Sequence, residues 1–288
     1  MHRKKVKLYV IFIFSMMFKK RKKNNSGQAV LIVLLSLSVV LIIVLYIMSR
    51  SITDISLSNK DEDSMRAFSA AEAGIERALI TGSFQSGGFD NANFTGSVSE
   101  FGQGDDTVVY PMSLKSGEIA TFWFNRPSDP VFDGSQAKIC WGTTATEPPA
   151  VEVSTYYLEG GVYKISRAAL DPLAVSRTPT NYFTTATTGA CTVDNEQFRY
   201  YSTVSLPTVG TLQFMTVKPL YNTTVSHKIG IDVSNIVNGG SLLPSQGVKI
   251  NSDGSFAGAN RSIEVYQLHP VAPSIFMNAV YSSSGITK

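Results

Sequence analysis

An uninterrupted apolar segment stands near the amino terminus of the chain. From Gln28 to Met48, 21 consecutive residues carry no charge. As an α-helix rising about 1.5 Å per residue, this segment is roughly 31 Å long, which matches the hydrocarbon core of a bilayer. The pattern therefore predicts a membrane-spanning helix.

The charges on either side of this segment predict its orientation. Residues 19–23 are all basic, whereas acidic residues follow the segment at positions 54 and 61–63. Because basic flanks stay on the cytoplasmic side, we expect the amino terminus to remain inside and everything after Met48 to be exported. The segment is longer than the apolar region of a secretory signal, about 7 to 15 residues, so we expect it to remain attached.

The first residues of the chain have two interpretations. A second apolar run, from Leu8 to Phe18, has 11 residues and is too short to span a bilayer. Either translation begins at Met16 or Met17, which leaves a compact basic leader, or this run is an interfacial part of the leader.

The helical pattern continues beyond the membrane segment. Residues 51–80 contain no proline and a single glycine, and Thr81, Gly82 and Ser83 end the pattern. We therefore predict one helix over 28–80, roughly 80 Å long at about 1.5 Å per residue. Apolar side chains spaced three and four apart predict its docking face: Ile52, Ile55, Met65, Phe68, Ala71, Ile75 and Leu79.

The residue pattern of the chain changes after Gly88. Short runs rich in Val, Ile, Thr, Tyr and Phe alternate with turn-forming residues, which is typical of antiparallel β structure. The predicted fold class is therefore α+β, a long amino-terminal helix followed by an antiparallel β-rich domain. Its predicted parts are a basic leader at 1–27, the helix at 28–80 and an exported β-rich domain at 81–288.

Two hairpins stand out in the β-rich part. One joins residues 151–158 to 162–169 through Glu159-Gly160-Gly161, and the other joins residues 198–206 to 211–220 through residues 207–210. We expect the glycine- and asparagine-rich stretch at 82–104 to be a loop or linker. Further strands are predicted at 107–110, 119–125, 138–141, 225–233 and 262–268.

Charge and composition narrow the classes of function. The formal net charge is +3, but 9 of the 25 Lys and Arg lie in residues 1–27, and the rest of the chain carries a net charge of −6. The exported part therefore has no basic footprint for nucleic acid. Only three histidines are present, His2, His227 and His269, which argues against a multi-histidine metal site.

Motifs for catalysis or metal binding are weak. Glu72 and Glu76 lie four apart, but no histidine or second acidic pair accompanies them, so we expect a solvated helix edge or subunit contacts. Residues 251–255, Asn-Ser-Asp-Gly-Ser, resemble part of a calcium loop, yet Lys249 and Asn260 occupy positions where acidic ligands belong, so a β-turn is the better interpretation. We expect no catalytic residues, no metal and no cofactor.

The two cysteines and the aromatic runs leave alternatives open. Cys140 and Cys191 are the only cysteines and both lie in the exported part, where they either form one disulfide or remain free thiols. The aromatic residues in 121–124, 154–158 and 198–201 either form an adhesive surface patch or serve as core and cross-strand pairs.

The amino-terminal region resembles that of type IV pilin-like proteins. The resemblance rests on a basic leader ending in Gly27, an uncharged apolar helix, and the sequence AFSAAEAGIERAL from Ala67 to Leu79. It is closest to the PilX-like minor pilins and more distant to the tip-forming minor pseudopilin of type II secretion. The positions that carry the helix motif are Phe68, Ala71, Glu72, Gly74 and Glu76.

This resemblance implies processing by a prepilin peptidase, which cuts after Gly27 and leaves Gln28 as the new amino terminus. A glycine suits the position because a residue without Cβ lets the backbone be drawn extended into a protease cleft. Major pilins carry Glu at the fifth mature position, where this chain has Ile32. Ile32 cannot neutralise the amino terminus of a preceding subunit, so we expect a tip or priming position; the alternative is that Ile32 simply faces lipid.

The sequence thus predicts a minor pilin or pseudopilin that acts in filament assembly, with adhesion as a second role, and not an enzyme. Its expected partners are membrane lipid, prepilin peptidase, other pilin subunits and the assembly machinery. Its expected location is the cytoplasmic membrane and then a surface filament. The alternative is an uncleaved, single-pass membrane-anchored surface protein whose β domain binds a ligand.

Overall fold

The structure of the protein is a computed structural model that describes residues 26–127, 129–234 and 242–271. The leader up to residue 25 and the start positions Met16 and Met17 lie outside the described residues. Contacts divide the chain into two compact units, Met1–Glu62 and Asp63–Lys288. The described elements are α1 (Ser26–Thr81), β1 (Gly87–Phe89), β2 (Ala92–Phe101), β3 (Thr107–Val109), β4 (Ala120–Trp123), β5 (Gln136–Trp141), β6 (Ala150–Glu159), β7 (Val162–Asp171), β8 (Thr184–Thr185), β9 (Thr187–Val193), β10 (Glu196–Ser205), β11 (Thr211–Leu220), β12 (Ile229–Asp232), β13 (Gly247–Phe256) and β14 (Ala259–Leu268).

The α+β fold class predicted from the sequence is confirmed. Helix α1 has 56 residues and ends one residue beyond the predicted limit. Gly82 follows it with a φ of +69°, and its N–H donates to the Ala78 carbonyl at 2.8 Å. A left-handed glycine after the last turn satisfies carbonyls that the helix itself leaves unpaired, which explains why the helix ends there.

The last turns of α1, from residue 63 onward, pack within the second unit on a four-stranded sheet of order β1-β2-β13-β14, called the first sheet. The buried positions of this part of the helix are small or aliphatic: Ala67, Ala70, Ala71, Gly74, Ile75 and Ala78. They recur three and four residues apart, so they form one stripe along the helix.

The docking face predicted from apolar spacing is largely wrong. Of that stripe only Ala71 and Ile75 are buried, whereas Met65, Phe68 and Leu79 are 71%, 45% and 43% exposed. In the first unit Ile52 and Ile55 are exposed as well. The reason is steric, since the helix lies so close to the sheet that small side chains occupy the contact and the large ones point away.

The closeness of this contact is visible at two glycines. A Cβ on Gly254 in β13 would lie 1.8 Å from the Ala67 carbonyl oxygen and 2.7 Å from the Ala71 backbone nitrogen. A Cβ on Gly74 would lie 2.4 Å from the Ser252 hydroxyl oxygen. Because real Cβ atoms cannot approach backbone atoms this closely, position 254 requires glycine, and helix and strand meet there backbone to backbone. A Cβ on Gly74 would force the Ser252 hydroxyl and the Phe94 ring to shift.

Two predictions about small-residue segments are wrong. Residues 251–255 are not a turn but the middle of β13, paired with β2 on one side and β14 on the other. The stretch at 82–104 is not a linker, because it contains β1 and β2. In β2, Gly96 leaves room for the Phe84 ring, which would be 2.7 Å from a Cβ there.

The remaining strands form two five-stranded sheets. The second sheet has the order β3-β12-β5-β10-β9 and the third has the order β4-β11-β6-β7-β8. Their inward side chains belong to one hydrophobic cluster, to which Ile139 and Ile231 contribute from the second sheet and Phe122, Val153 and Met215 from the third. Two sheets that share one core in this way form a β-sandwich.

The strand predictions are mostly confirmed, with one exception in pairing. The β6–β7 hairpin forms around Gly160 and Gly161 as predicted, and strands lie at each of the five further positions. The predicted hairpin of residues 198–206 with 211–220 is wrong, because β10 pairs with β5 and β9 whereas β11 pairs with β4 and β6. The short connection at 207–210 crosses from one sheet to the other, and local pattern does not distinguish this from a turn.

The two cysteines are joined in the structure. Cys140 of β5 and Cys191 of β9 form a disulfide with a Cα–Cα distance of 6.1 Å. Both are buried and share a small cluster with Val193 and Phe198.

Strand β9 pairs irregularly and is followed by a turn that contacts another strand. A bulge between Phe198 and Tyr200 interrupts its pairing with β10. The turn that follows β9 contacts β3, since the Val109 N–H donates to the Asp194 carboxylate at 3.2 Å.

We expect Gly254→Ala to lower the free energy of unfolding by about 2–3 kcal/mol, because the added methyl overpacks the contact between helix and strand. The measurement is urea unfolding of the full chain in detergent micelles. Gly189→Ala is the matched control, since a Cβ there meets only a Tyr201 ring carbon at 3.7 Å. Equal stability of the two variants would contradict the close contact.

We expect the double substitution of Cys140 and Cys191 by serine to lower the free energy of unfolding by about 4 kcal/mol, the chain-entropy value for a closed loop of this length. The bridge spans a sequence separation of 51 residues, and its loss releases that loop in the unfolded chain. Unfolding of parent and variant under the same oxidising conditions checks this. A variant as stable as the parent would show that the bridge constrains nothing.

Candidate functional site

The apolar half of α1 is the feature of the chain with the clearest functional chemistry. Among the described residues it is the one helix long and apolar enough to span a membrane, with a mean hydropathy of 3.3 over its most apolar window. None of that window is buried by protein. In water this surface would be strongly unfavourable, so its chemistry suits contact with lipid or with other apolar helices.

Polar side chains inside the apolar segment are satisfied by the helix itself. The hydroxyls of Ser36 and Ser38 donate to the carbonyls of Val33 and Leu35, each at 2.8 Å. Such local bonds remove the cost of placing a hydroxyl in hydrocarbon. From Ala29 to Leu45 the helix therefore presents a uniformly apolar surface.

The predicted cleavage positions lie at the start of this helix. Gly27 and Gln28 are in its first turn, and the basic residues that precede them lie outside the described residues. Ile32 lies one turn further on and is 58% exposed, as are its apolar neighbours to similar extents. Cleavage after Gly27 and the role of Ile32 remain predictions.

The helix motif divides between two faces of α1. Ala71 and Gly74 face the first sheet and are buried, whereas Phe68, Glu72 and Glu76 lie on the opposite, exposed face. Glu72 and Glu76 thus lie on a solvated edge of the helix. The Ala-Ala-Glu-Ala-Gly segment therefore holds this end of the helix on the β domain and leaves a ridge with Phe68 and two carboxylates open.

The aromatic runs are used mainly for packing. Phe122 and Phe124 are in the core, and the Tyr156 and Phe214 rings stack with centroids 4.4 Å apart. Trp123 packs against Phe214, and the Arg126 guanidinium lies over its ring at 5.4 Å. Because these ring faces are already covered, they form cross-strand pairs and offer little open ring surface for a sugar or other planar ligand.

The β domain also contains a polar cleft of about 580 Å³ beside β2, β13 and β14. Its charged side chains are largely paired: Lys249 with Glu264 at 2.8 Å, and Lys228 with Glu196. Burial raises the pKa of Asp105, and the neighbouring Asp194 and Asp106 carboxylates raise it further. In the part of the chain that the structure describes, no group of three or more His, Cys, Asp or Glu is arranged to hold a metal ion.

Sequence reasoning missed a buried histidine at one end of the sandwich. His227 is 1% exposed, and neither ring nitrogen has a hydrogen-bond partner that meets ordinary geometry. Its backbone pairs with Leu114, and nearby Glu147 accepts hydrogen bonds from the Thr224 and Val225 N–H groups at 2.8 and 3.0 Å. Burial lowers the pKa of His227 despite the opposing influence of the nearby Glu147 and Thr146 backbone groups and, less strongly, of the Glu147 carboxylate.

Comparison of the chain with models of protein families, with curated proteins and with solved structures finds no significant match. The class that the molecule defines is therefore architectural. It is an α+β protein with one long apolar amino-terminal helix followed by antiparallel sheets, an architecture compatible with that of pilin-like proteins.

We expect the protein to lose stability as the pH falls from 7.5 to 5.5. Burial holds the pKa of His227 below its ordinary value of 6.5, so the unfolded chain binds this proton more readily and acid favours unfolding. The stabilising contribution is complete above about 6.5, the unfolded pKa, and disappears as the pH falls through the folded pKa. The measurement is the free energy of urea unfolding across this range.

The variant His227→Gln separates this histidine from His269, whose pKa burial and nearby Arg126 also lower. We expect His227→Gln to reduce the pH dependence of the free energy of unfolding. His269→Gln should leave the part of this pH dependence that comes from His227 unchanged. An unchanged pH profile in His227→Gln would show that His227 does not contribute to it.

Proposed function

We propose that this protein is a minor subunit of a type IV pilus-like filament, held in the cytoplasmic membrane before assembly. The observation that carries the proposal is that two parts of α1 have different environments. One part of the helix is a 21-residue apolar surface open on all sides, and a later part is an integral element of the β domain. A subunit of this kind is suited to a helical spine that carries a folded domain.

Membrane storage and filament assembly make the same demand on the apolar half. Lipid tails and apolar helices offer similar contacts, so a helix can exchange one for the other with little change in solvation. The lack of any charge from Gln28 to Met48 supports this exchange. The partners that follow from the proposal are membrane lipid, other pilin subunits and the assembly machinery, which supplies the energy for extraction.

The proposal requires a prepilin peptidase to remove the leader. The scissile bond would lie between Gly27 and Gln28, in the first turn of α1, where helices fray readily because their first N–H groups have no intrahelical partners. Gly27 lowers the cost of an extended backbone in the protease cleft because it has no Cβ. The β domain after residue 81 would then face outward, where adhesion is a second role.

Ile32 favours a tip or priming position over a place in the filament shaft. A carboxylate at this position would be costly in lipid unless a neighbour neutralised it. With Ile32 the helix needs no positive charge from a neighbour in the membrane. It also cannot neutralise the charged amino terminus of a subunit ahead of it. A subunit placed first in the filament has no subunit ahead.

We expect co-expression with an active prepilin peptidase to produce a protein whose amino terminus is Gln28. Intact-mass analysis of the membrane-extracted protein measures this directly. Gly27→Leu should retain the leader, because a bulky side chain blocks the extended backbone in the cleft, whereas the neighbouring Ser26→Ala should be processed as the parent is.

A catalytically inactive peptidase provides the enzyme control, and no variant should be trimmed in its presence. Retention of the basic residues at 19–23 by the parent chain, in cells where another prepilin is processed, would contradict the proposal. That outcome would instead support an uncleaved membrane-anchored surface protein.

A further inference from the structure

Strand β7 forms an open edge of the third sheet. Among the described residues, β8 pairs with β7 only at Leu170 and Asp171. The eight residues from Val162 to Ala169 pair with β6 on one side and have no described strand on the other. Their outward backbone N–H and C=O groups are therefore free to pair with another strand.

The apolar side chains of this edge are unusually exposed. Val162, Tyr163 and Ile165 are 60%, 73% and 48% exposed. The stretch contains no proline, and its pairing with β6 continues residue by residue without a bulge. Proline and bulges are the usual features that prevent an edge strand from pairing.

Four other edge strands offer less apolar surface for pairing. The edge of β4 is covered by the side chain of Gln246, which accepts from the Trp123 N–H at 2.7 Å and donates to the Trp123 carbonyl at 3.0 Å. Strand β14 is as long as β7, but its exposed positions are polar, including Arg261 and Glu264. Strands β1 and β3 have three residues each.

The basic residues of β7 do not make the edge repulsive. Lys164 pairs with Glu159 at 2.9 Å, and Arg167 lies 4.0 Å from Glu152. Both acidic partners belong to β6, so Lys164 is balanced within the hairpin, whereas Arg167 is balanced only in part because Glu152 also pairs with Lys218 of β11 at 2.7 Å. The edge thus presents apolar side chains with a small positive excess at Arg167, which fits an apolar strand that places no like charge opposite Lys164 or Arg167.

From this geometry we propose that β7 pairs antiparallel with β7 of a second copy of the chain, with Ile165 facing Ile165 across a two-fold axis. Side chains alternate between the faces of a strand, so a two-fold pairing places opposite each other only residues an even number apart. Lys164 and Arg167 therefore never oppose one another in such a pair.

The register centred on Ile165 is more favourable than those centred on Lys164, Ser166 or Arg167. It places Tyr163 opposite Arg167 of the second copy, a cation–π contact, and Lys164 opposite Ser166. A centre at Lys164 or Arg167 opposes like charges, which is unfavourable, and a centre at Ser166 places Ile165 opposite Arg167. The pairing would join two five-stranded sheets into one continuous sheet.

Site-specific disulfide formation tests both the pairing and its register. The only two cysteines of the chain are joined to each other, so a single new cysteine reports without background. The full chain carrying Ile165→Cys, in detergent micelles under mild oxidation, should form covalent dimers on non-reducing gels. Val175→Cys, at a position that is 89% exposed in the loop after β7, should form few covalent dimers.

Tyr163→Cys controls for register. Its symmetry mate would be four residues away along the pair, about 13 Å at roughly 3.3 Å per residue, too far to cross-link. The combination of Tyr163→Cys with Arg167→Cys should cross-link efficiently, because these positions face each other. Ile165→Lys should weaken dimerisation about tenfold or more, measured by sedimentation, because it opposes two like charges.

A chain that is monomeric at micromolar concentration would overturn the proposal. So would Ile165→Cys cross-linking no better than Val175→Cys, or a dimer unaffected by Ile165→Lys, which would have to form through another surface. The proposal does not depend on the pilin assignment, since removal of the leader is measured independently of dimerisation.

Discussion

The β domain depends on a contact in which an α-helix and a β-strand meet backbone to backbone at Gly254. Gly254 in β13 and Gly74 in α1 make the approach sterically allowed, and Ala67, Ala70, Ala71 and Ala78 line the rest of the contact. Because these helix side chains are small, they bring the helix close to Phe94 and Ile250 of the sheet, and the contact gains many close van der Waals pairs. It is correspondingly sensitive to added volume.

This contact gives one helix two different environments. From Gln28 to Met48 every side chain of α1 is open and the sequence carries no charge, whereas from Ala67 to Ala78 one face is buried on the first sheet. An isolated helix gains little stability from hydrogen bonding alone, so the buried end provides the tertiary support. The open end is then available to lipid or to other helices, as the proposed role requires.

Strong local signals were predicted from the sequence and non-local ones were not. The long helix, its glycine stop and the β6–β7 hairpin follow from runs and turns that are contiguous in the chain. The spacing of large apolar residues does not identify the buried face of α1, because alanine and glycine form that face. The role of residues 251–255 was mistaken because a small-residue run in a strand beneath a helix resembles a turn.

The candidate sites show the same division. The apolar anchor is evident from residues 28–48 alone, whereas the burial of His227 depends on loops brought together from distant parts of the chain. The open edge of β7 could not be foreseen either, since an edge is defined by the strands that are not beside it. Strand order, in contrast to strand position, is a property of the whole sheet.

Hydrogen–deuterium exchange of the full chain in lipid nanodiscs tests the central claim that α1 serves two environments. We predict slow exchange in two blocks, residues 28–48, protected by lipid, and residues 67–78, protected by the first sheet. Faster exchange is expected between them, at residues 52–62, where the helix is exposed and polar. Exchange at 28–48 as fast as at 52–62 would contradict the account, because the apolar half would then have no lipid around it.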